Sequence, residues 1–262
     1  MTEDFLKSRG IAYQHTNMRP ELRTIVFVHG LSGSLSAWEG YEKLFGNTYN
    51  MVTYDLRGHG LSIRPSRSGY ALDEHLEDLK ALLEHLHISQ CVLVSHSFGT
   101  LVAMEFARTY PHMLSHKILL APIHGIQNFA WTRLFVRMGN MVASLIPRLH
   151  RDRRTNYSTI SIPTPDFSIR RIYKDISNMG LRSYIYVFRA AFAKDYSRDW
   201  TELPMPVLII HGTQDTFVEL EHAISLVEKL SGEEFVAIDG ANHNIVLNNR
   251  ERLAVEIKNF VQ

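Results

Sequence analysis

Phe5 to Thr16 holds two short runs that turn at Arg9-Gly10 and predict a pair of strands. Thr24–His29 is a continuous apolar, β-branched run closed by Gly30, the pattern of a strand buried on both faces. Ser36 to Leu44 has helical spacing, and Tyr49–Asp55 is a second buried-type strand closed by Gly58-His59-Gly60. Between Ala71 and Leu86, Leu72, Leu76, Leu79, Leu82, Leu83 and Leu86 recur at helical spacing. Asp73 and Glu74 favour the start of that helix through its dipole. Cys91–Ser95 predicts a third strand, and Phe98 to Thr109 a helix stopped by Pro111. Lys117–Ala121 predicts a fourth strand, stopped by Pro122.

The rhythm then changes. From Ile123 to Trp200 the chain shows aromatic-rich helical stretches, at Phe129–Ile146, Ser168–Met179 and Leu181–Ala193, and no clear strand. Strand and helix alternate again at Val207–Ile210, Glu219–Leu230, Glu234–Ile238 and Asn249–Phe260. Alternation of this kind implies an α/β fold: a mostly parallel central sheet with helices on both faces. The expected organisation is a core domain of residues 1–122 and 201–262, with residues 123–200 inserted as a helical cap. No internal repeat or low-complexity tract interrupts it. Ligands in such folds gather at the carboxyl ends of the strands.

Composition narrows the chemistry. At 262 residues, with 45% apolar and 21% charged side chains, the chain is an ordinary globular one. Its single cysteine, Cys91, excludes an internal disulfide framework and reads as a buried strand residue. No signal-peptide pattern opens the chain and no long apolar run suggests a membrane span, so a soluble cytoplasmic protein is expected. The net charge of +1 hides an asymmetry: residues 123–200 carry 13 Lys+Arg against 5 Asp+Glu, and the remainder is net acidic. No His/Cys/Asp/Glu cluster has metal-ligand spacing, and His85 with His87 reads as an exposed helix end. No metal or organic cofactor is expected. Gly58-His59-Gly60 lacks the pattern and the Lys of a phosphate loop.

The sharpest motif is Ser95-His96-Ser97-Phe98-Gly99, which ends an apolar strand and opens a helix. A nucleophile elbow needs that context, with small residues two before and two after the nucleophile. Ser97 has Ser95 and Gly99 at those places, whereas Ser95 would have Leu93 and Ser97. Ser95 stands where a glycine is usual. His29-Gly30-Leu31 follows the first buried strand and can turn amide groups toward Ser97, as an oxyanion hole requires. The candidate donors are the N–H groups of Leu31 and Phe98. Asp215 follows the strand at 207–210, and His243 follows the strand at 234–238. The order Ser, Asp, His suits this topology: Asp215 would orient His243, which takes the Ser97 proton. Asp239 is the rival acid, four residues before His243. His96 is expected to pack beside the elbow and His29 to brace the oxyanion loop.

These motifs resemble the capped α/β-hydrolase fold serine hydrolases, in His29-Gly30, Asp55–Ser62, Ser95–Gly99, Asp215 and His243, over about residues 5 to 261. The resemblance implies that the segment like Asp55–Ser62 shapes its loop, so Asp55 and His59 are left out of catalysis. It also implies an aspartate nucleophile for haloalkane dehalogenases and epoxide hydrolases, where this chain has Ser97. Hydrolysis of a carboxylic ester with an apolar acyl part is the expected activity. The basic insert, densest at Arg148, Arg151, Arg153 and Arg154, suggests steering of an anionic partner: an acidic acyl carrier, a coenzyme A-linked acyl group or an anionic lipid surface. It is similar to the cap of pimeloyl-carrier-protein methyl esterases. A solvated basic face balancing the acidic core is the plainer account. Nucleic acid is not expected as a partner. A slow ligand receptor of the same fold and an acyltransferase using Ser97 are the readings of other classes.

Overall fold

The computed structural model describes residues 1–123, 153–192, 204–230 and 234–262, together with residues 138, 143, 145 and 146. An 8-stranded sheet runs in the order β1-β2-β4-β3-β5-β6-β7-β8. Its strands are β1 Thr2–Leu6, β2 Ile11–His15, β3 Thr24–Val28, β4 Asn50–Tyr54, β5 Cys91–His96, β6 Leu114–Leu120, β7 Val207–Gly212 and β8 Glu234–Ile238. Strands β3 to β8 pair in parallel, while β1–β2 and β2–β4 are antiparallel.

Between and after the strands lie α1 Tyr41–Phe45, α2 Leu72–His85, α3 Phe98–Thr109, α4 Ile169–Met179, α5 Leu181–Ala191, α6 Leu220–Lys229, α7 Ile245–Asn248 and α8 Arg250–Phe260. The period of two along each strand divides the core between the two faces. Val26 and Val28 of β3 face one way, onto α2, α3 and α6 through Leu79, Leu82, Leu101, Val102, Ala223 and Leu226. Ile25 and Phe27 face the other way, onto α1 and α8 through Tyr41, Phe45, Leu253 and Ile257. Phe27 sits among the rings of Trp38, Tyr41 and Phe45, with centroids at 4.9, 5.8 and 5.8 Å. Burial of each large apolar side chain of this kind stabilises the fold by about 1.5–3 kcal/mol.

Most elements follow the hydrophobic pattern. The helix expected over Ser36 to Leu44 divides at Gly40, whose φ of 91° is left-handed, into a 3-10 turn, Leu35–Trp38, and α1. Strand β6 starts at Leu114, earlier than the expected Lys117; Ser115 and His116 break the apolar pattern by which the rest of the strand is read. The expected helix at Phe129–Ile146 falls almost wholly outside the described residues.

The described part of the segment between β6 and β7 is tied to the sheet's upper loops. The Arg64 guanidinium donates to the carbonyls of Gly60 at 2.8 Å and Asn178 at 3.3 Å. Tyr70 Oη and Ser183 Oγ lie 2.8 Å apart. Among the described residues, no helix is long and apolar enough to cross a membrane.

Candidate active site

Ser97 closes β5 and opens α3 with φ 50° and ψ −119°, a conformation that costs an L-residue about 1–3 kcal/mol. Backbone bonds hold it there. Its N–H donates to Leu120 O at 3.0 Å, and its carbonyl accepts from the Thr100 N–H at 2.8 Å and Thr100 Oγ1 at 2.6 Å. The turn brings α3 so near β3 that a Cβ on Gly99 would lie 2.7 Å from His29 O and 2.8 Å from Val28 O. Only glycine fits. At the other small position the serine is accommodated: Ser95 Oγ donates across the sheet to Ile118 O at 3.2 Å.

Ser97, His243 and Asp215 form a hydrogen-bonded chain. Ser97 Oγ lies 2.9 Å from His243 Nε2, and His243 Nδ1 lies 2.7 Å from Asp215 Oδ2. The loop after β7 aims the carboxylate, because Asp215 Oδ1 accepts from the N–H groups of Phe217 at 2.9 Å and Val218 at 2.8 Å. Burial alone would push the Asp215 carboxyl up. The hydrogen bond and charge of His243, with the Val218 amide, outweigh it and hold the carboxyl below its ordinary range. A neutral carbonyl fixes the second imidazole in this pocket: His211 Nε2 donates to Val218 O at 2.9 Å. Burial depresses the His211 pKa. The rival acid Asp239 is exposed and accepts from Thr213 Oγ1 at 3.2 Å, not from His243.

His96 packs beside the elbow, its ring centroid 5.1 Å from that of His243. Its Nε2 donates to the His243 carbonyl at 2.9 Å. Burial first, then the nearby His243, lowers its pKa to about 3, so the ring stays neutral. The loop after β3 crowds the same spot. A Cβ on Gly30 would lie 3.0 Å from His96 Nδ1 and 3.1 Å from Ser97 Cβ, so glycine lets this loop pass close against the elbow. Among the described residues, neither the Leu31 nor the Phe98 N–H has a hydrogen-bond acceptor. Behind them His29 bridges two loops: Nδ1 donates to Gly30 O at 2.8 Å and Nε2 accepts from the Leu56 N–H at 3.0 Å. His59 lies edge-on to His29 at 4.9 Å and accepts from the Ser32 N–H at 3.3 Å.

Asp55 is wholly buried and shapes these loops. It accepts from the N–H groups of Leu35 at 2.8 Å and Leu61 at 2.9 Å, and from Arg154 Nε at 2.8 Å. That last bond turns Arg154 inward, against its expected place among anion contacts. Its guanidinium also pairs with Glu3. Arg153 is exposed and donates from Nε to Asn178 Oδ1 at 3.1 Å. Arg148 and Arg151 lie outside the described residues. Cys91 is buried, and burial pushes its thiol up to about 12. Among the described residues no group of three His, Cys, Asp or Glu side chains could hold a metal ion.

Sequence reasoning missed an aromatic pair at the imidazole. Phe217 stands edge-on to His243 at 5.3 Å and packs on Phe167 at 4.6 Å, with both phenylalanines exposed. A phenylalanine two residues after the candidate acid was the available signal.

A family model described as the alpha/beta hydrolase fold matches residues 23–249. The chain belongs to the α/β-hydrolase family. As an α/β hydrolase it is similar to human Protein ABHD8, at 26% identity over 90% of this chain and 54% of the relative. It is also similar to Epoxide hydrolase 1 of Caenorhabditis elegans, at 25% identity over 90% of this chain and 64% of that protein. It therefore spans between half and two thirds of these relatives' length. Among solved structures, a thermophilic esterase from Thermogutta terrifontis superposes with a TM-score of 0.77 at 21% identity, covering 96% of this chain and 92% of that one. That likeness shows the fold.

Proposed function

We propose that this α/β hydrolase is a serine hydrolase that cleaves carboxylic esters. The observation that carries the reading is the Ser97–His243–Asp215 chain, set at a strained strand-to-helix turn. Ser97 Oγ attacks the ester carbonyl carbon while His243 Nε2 takes its proton. The oxyanion receives the N–H groups of Leu31 and Phe98, which have no acceptor among the described residues. His243 passes the proton to the departing alkoxide, leaving an acyl group on Ser97. A water molecule, deprotonated by His243, then releases the carboxylic acid and restores the serine. Asp215 stabilises the imidazolium in both halves and stays ionised.

A relative named for epoxide hydrolysis raises the competing chemistry. Serine at the elbow favours an acyl-enzyme over the aspartate-nucleophile route that the family resemblance assigns to epoxide opening. The segment at 123–200 is read as a cap over this site, and the exposed Phe167 and Phe217 favour an apolar substrate portion beside His243. Steering of an anionic acyl carrier by the basic segment is the narrower version, and of the described arginines nominated for it only Arg153 is exposed.

The test pairs a fluorescent organophosphonate with p-nitrophenyl esters of graded chain length. Wild type should be labelled and should turn over some ester. Ser97→Ala should lose the label and about 10⁴–10⁶-fold in kcat while remaining folded. Labelling or turnover that survives the substitution would remove the mechanism.

A further inference from the structure

The loops that carry Asp215 and His243 come from different strands, and a third piece of chain fastens them together. Asp166, buried at 5% exposure, lies in the segment between β6 and β7. Its Oδ2 accepts from the Thr216 N–H at 2.9 Å and Thr216 Oγ1 at 2.7 Å, on the residue directly after Asp215. Its Oδ1 accepts from Asn244 Nδ2 at 3.1 Å, on the residue directly after His243. Asn242, directly before His243, donates to Thr164 O at 2.9 Å. Asn248 donates to the same carbonyl at 2.9 Å and accepts from the Thr164 N–H at 2.9 Å. Arg171 of α4 donates to the Asp166 carbonyl at 2.8 Å.

We propose that Asp166 is a positioning residue: by bridging Thr216 and Asn244 it fixes the distance between Asp215 and His243. It rests on the reading of Ser97, His243 and Asp215 as the hydrolytic triad. Three donors converge on Asp166, so the site requires an acceptor on both oxygens. An asparagine there would aim an NH₂ at either Thr216 or Asn244. The Thr216 backbone N–H cannot reverse. Asn244 could turn its amide only by giving up the bond from Nδ2 to Pro165 O at 3.2 Å. Both carboxylate oxygens are therefore used as acceptors, and the packing of the inserted segment enters directly into the assembly of the site.

The test compares Asp166→Ala, Asp166→Asn and Thr216→Ser with wild type. The readouts are kcat and KM on a p-nitrophenyl ester, thermal unfolding, and the downfield proton signal of His243 Nδ1–H. Misplacement of reacting groups by about 1 Å costs on the order of 10²-fold, and that loss in kcat is expected for folded Asp166→Ala. KM should stay within about twofold, because buried Asp166 offers almost no surface to a substrate. The Nδ1–H signal should weaken or vanish. Asp166→Asn should fall between, and Thr216→Ser, which keeps both donors, should behave as wild type. Wild-type kcat with an unchanged signal in folded Asp166→Ala overturns the proposal. Should that variant fail to fold, Asp166→Asn decides: it keeps the shape but sets an NH₂ against one of the converging donors, and an unchanged kcat and signal there would overturn the proposal equally. The proton signal separates the two readings. Its loss in Asp166→Ala, from a wild type that cleaves no ester, supports the positioning role and removes the esterase.

Discussion

The imidazole of His96 reaches across the elbow and donates from Nε2 to the main-chain carbonyl of His243 at 2.9 Å. The residue before the candidate nucleophile thus holds the backbone of the candidate base. The expected consequence is that His96→Phe, which keeps bulk and removes the donor, destabilises the protein by about 1 kcal/mol through loss of the part-buried hydrogen bond to the His243 carbonyl. It should also lower kcat by about 10- to 100-fold as the His243 backbone drifts. His96→Gln, which restores a donor, should recover most of both. Urea unfolding and ester kinetics on the same preparations check this. A His96→Phe protein equal to wild type in both would end the argument.

Arg154 gives a second test, because its partners are inside the molecule. The guanidinium bonds to wholly buried Asp55, and that carboxylate organises the loops after β3 and β4. Removing one partner of a buried pair leaves an uncompensated charge and costs about 3–5 kcal/mol. Arg154→Ala should therefore unfold at markedly lower denaturant. Arg153→Ala, at an exposed side chain, should change stability by no more than about 0.5 kcal/mol. Equal stability of the two variants would contradict this account of Arg154.

Ser97 and Arg154 mark where the sequence could be read and where it could not. Ser97 was legible because an elbow is a local event: an apolar strand, a small residue on each side, and a helix start all lie within a dozen positions. The sheet was legible for the same reason, since each buried strand announces itself by its own composition. Asp215 reads as the acid from its place in the loop after β7, whereas Asp239 falls directly at the end of β8. The amides of Phe217 and Val218, which aim one carboxylate at His243, decide between them. Arg154 looked like one basic residue among several because Asp55 lies 99 positions away. The Asp166 bridge was equally hidden, for it joins three segments that meet only in the folded chain.

Gly99 carries the third expectation. An added methyl would press on the main-chain carbonyls of Val28, the last residue of β3, and of His29 next to it, which cannot yield as a flexible side chain would. Gly99→Ala should cost about 1–3 kcal/mol in overpacking. The shift would fall on α3, whose first amide, Phe98 N–H, is one of the proposed oxyanion donors. Turnover should therefore fall by about 10²-fold or more, as for loss of such a donor. Labelling by the phosphonate should slow in parallel. A stable Gly99→Ala protein with wild-type turnover would show that the close approach of α3 to β3 does not set the geometry of the donors.

The last expectation concerns acid. Burial depresses the pKa values of His29, His59, His75, His96 and His211, and for His96 the value reaches about 3. Each is neutral in the folded protein, while its unfolded counterpart takes a proton below about pH 6.5. The unfolded chain then binds more protons, so stability falls as pH falls, by about 1.4 kcal/mol per pH unit for each such histidine. The loss begins near pH 6.5 and runs down to the folded pKa; above pH 7 these groups contribute no dependence. Asp215, whose carboxyl is held low, adds a further loss only at still lower pH. Several histidines acting together remove a large share of a typical stability of about 5–15 kcal/mol by pH 5. The melting temperature should be flat from pH 7 to about 8.5 and drop steeply below pH 6. His75 isolates one contribution, because among the described residues neither ring nitrogen has a partner and its edge packs on Phe98 at 5.5 Å. Its replacement by an apolar side chain removes a buried polar group that nothing satisfies. His75→Leu should therefore melt higher than wild type at pH 5.5 and show a shallower pH slope. A slope as steep as that of wild type would take His75 out of the linkage.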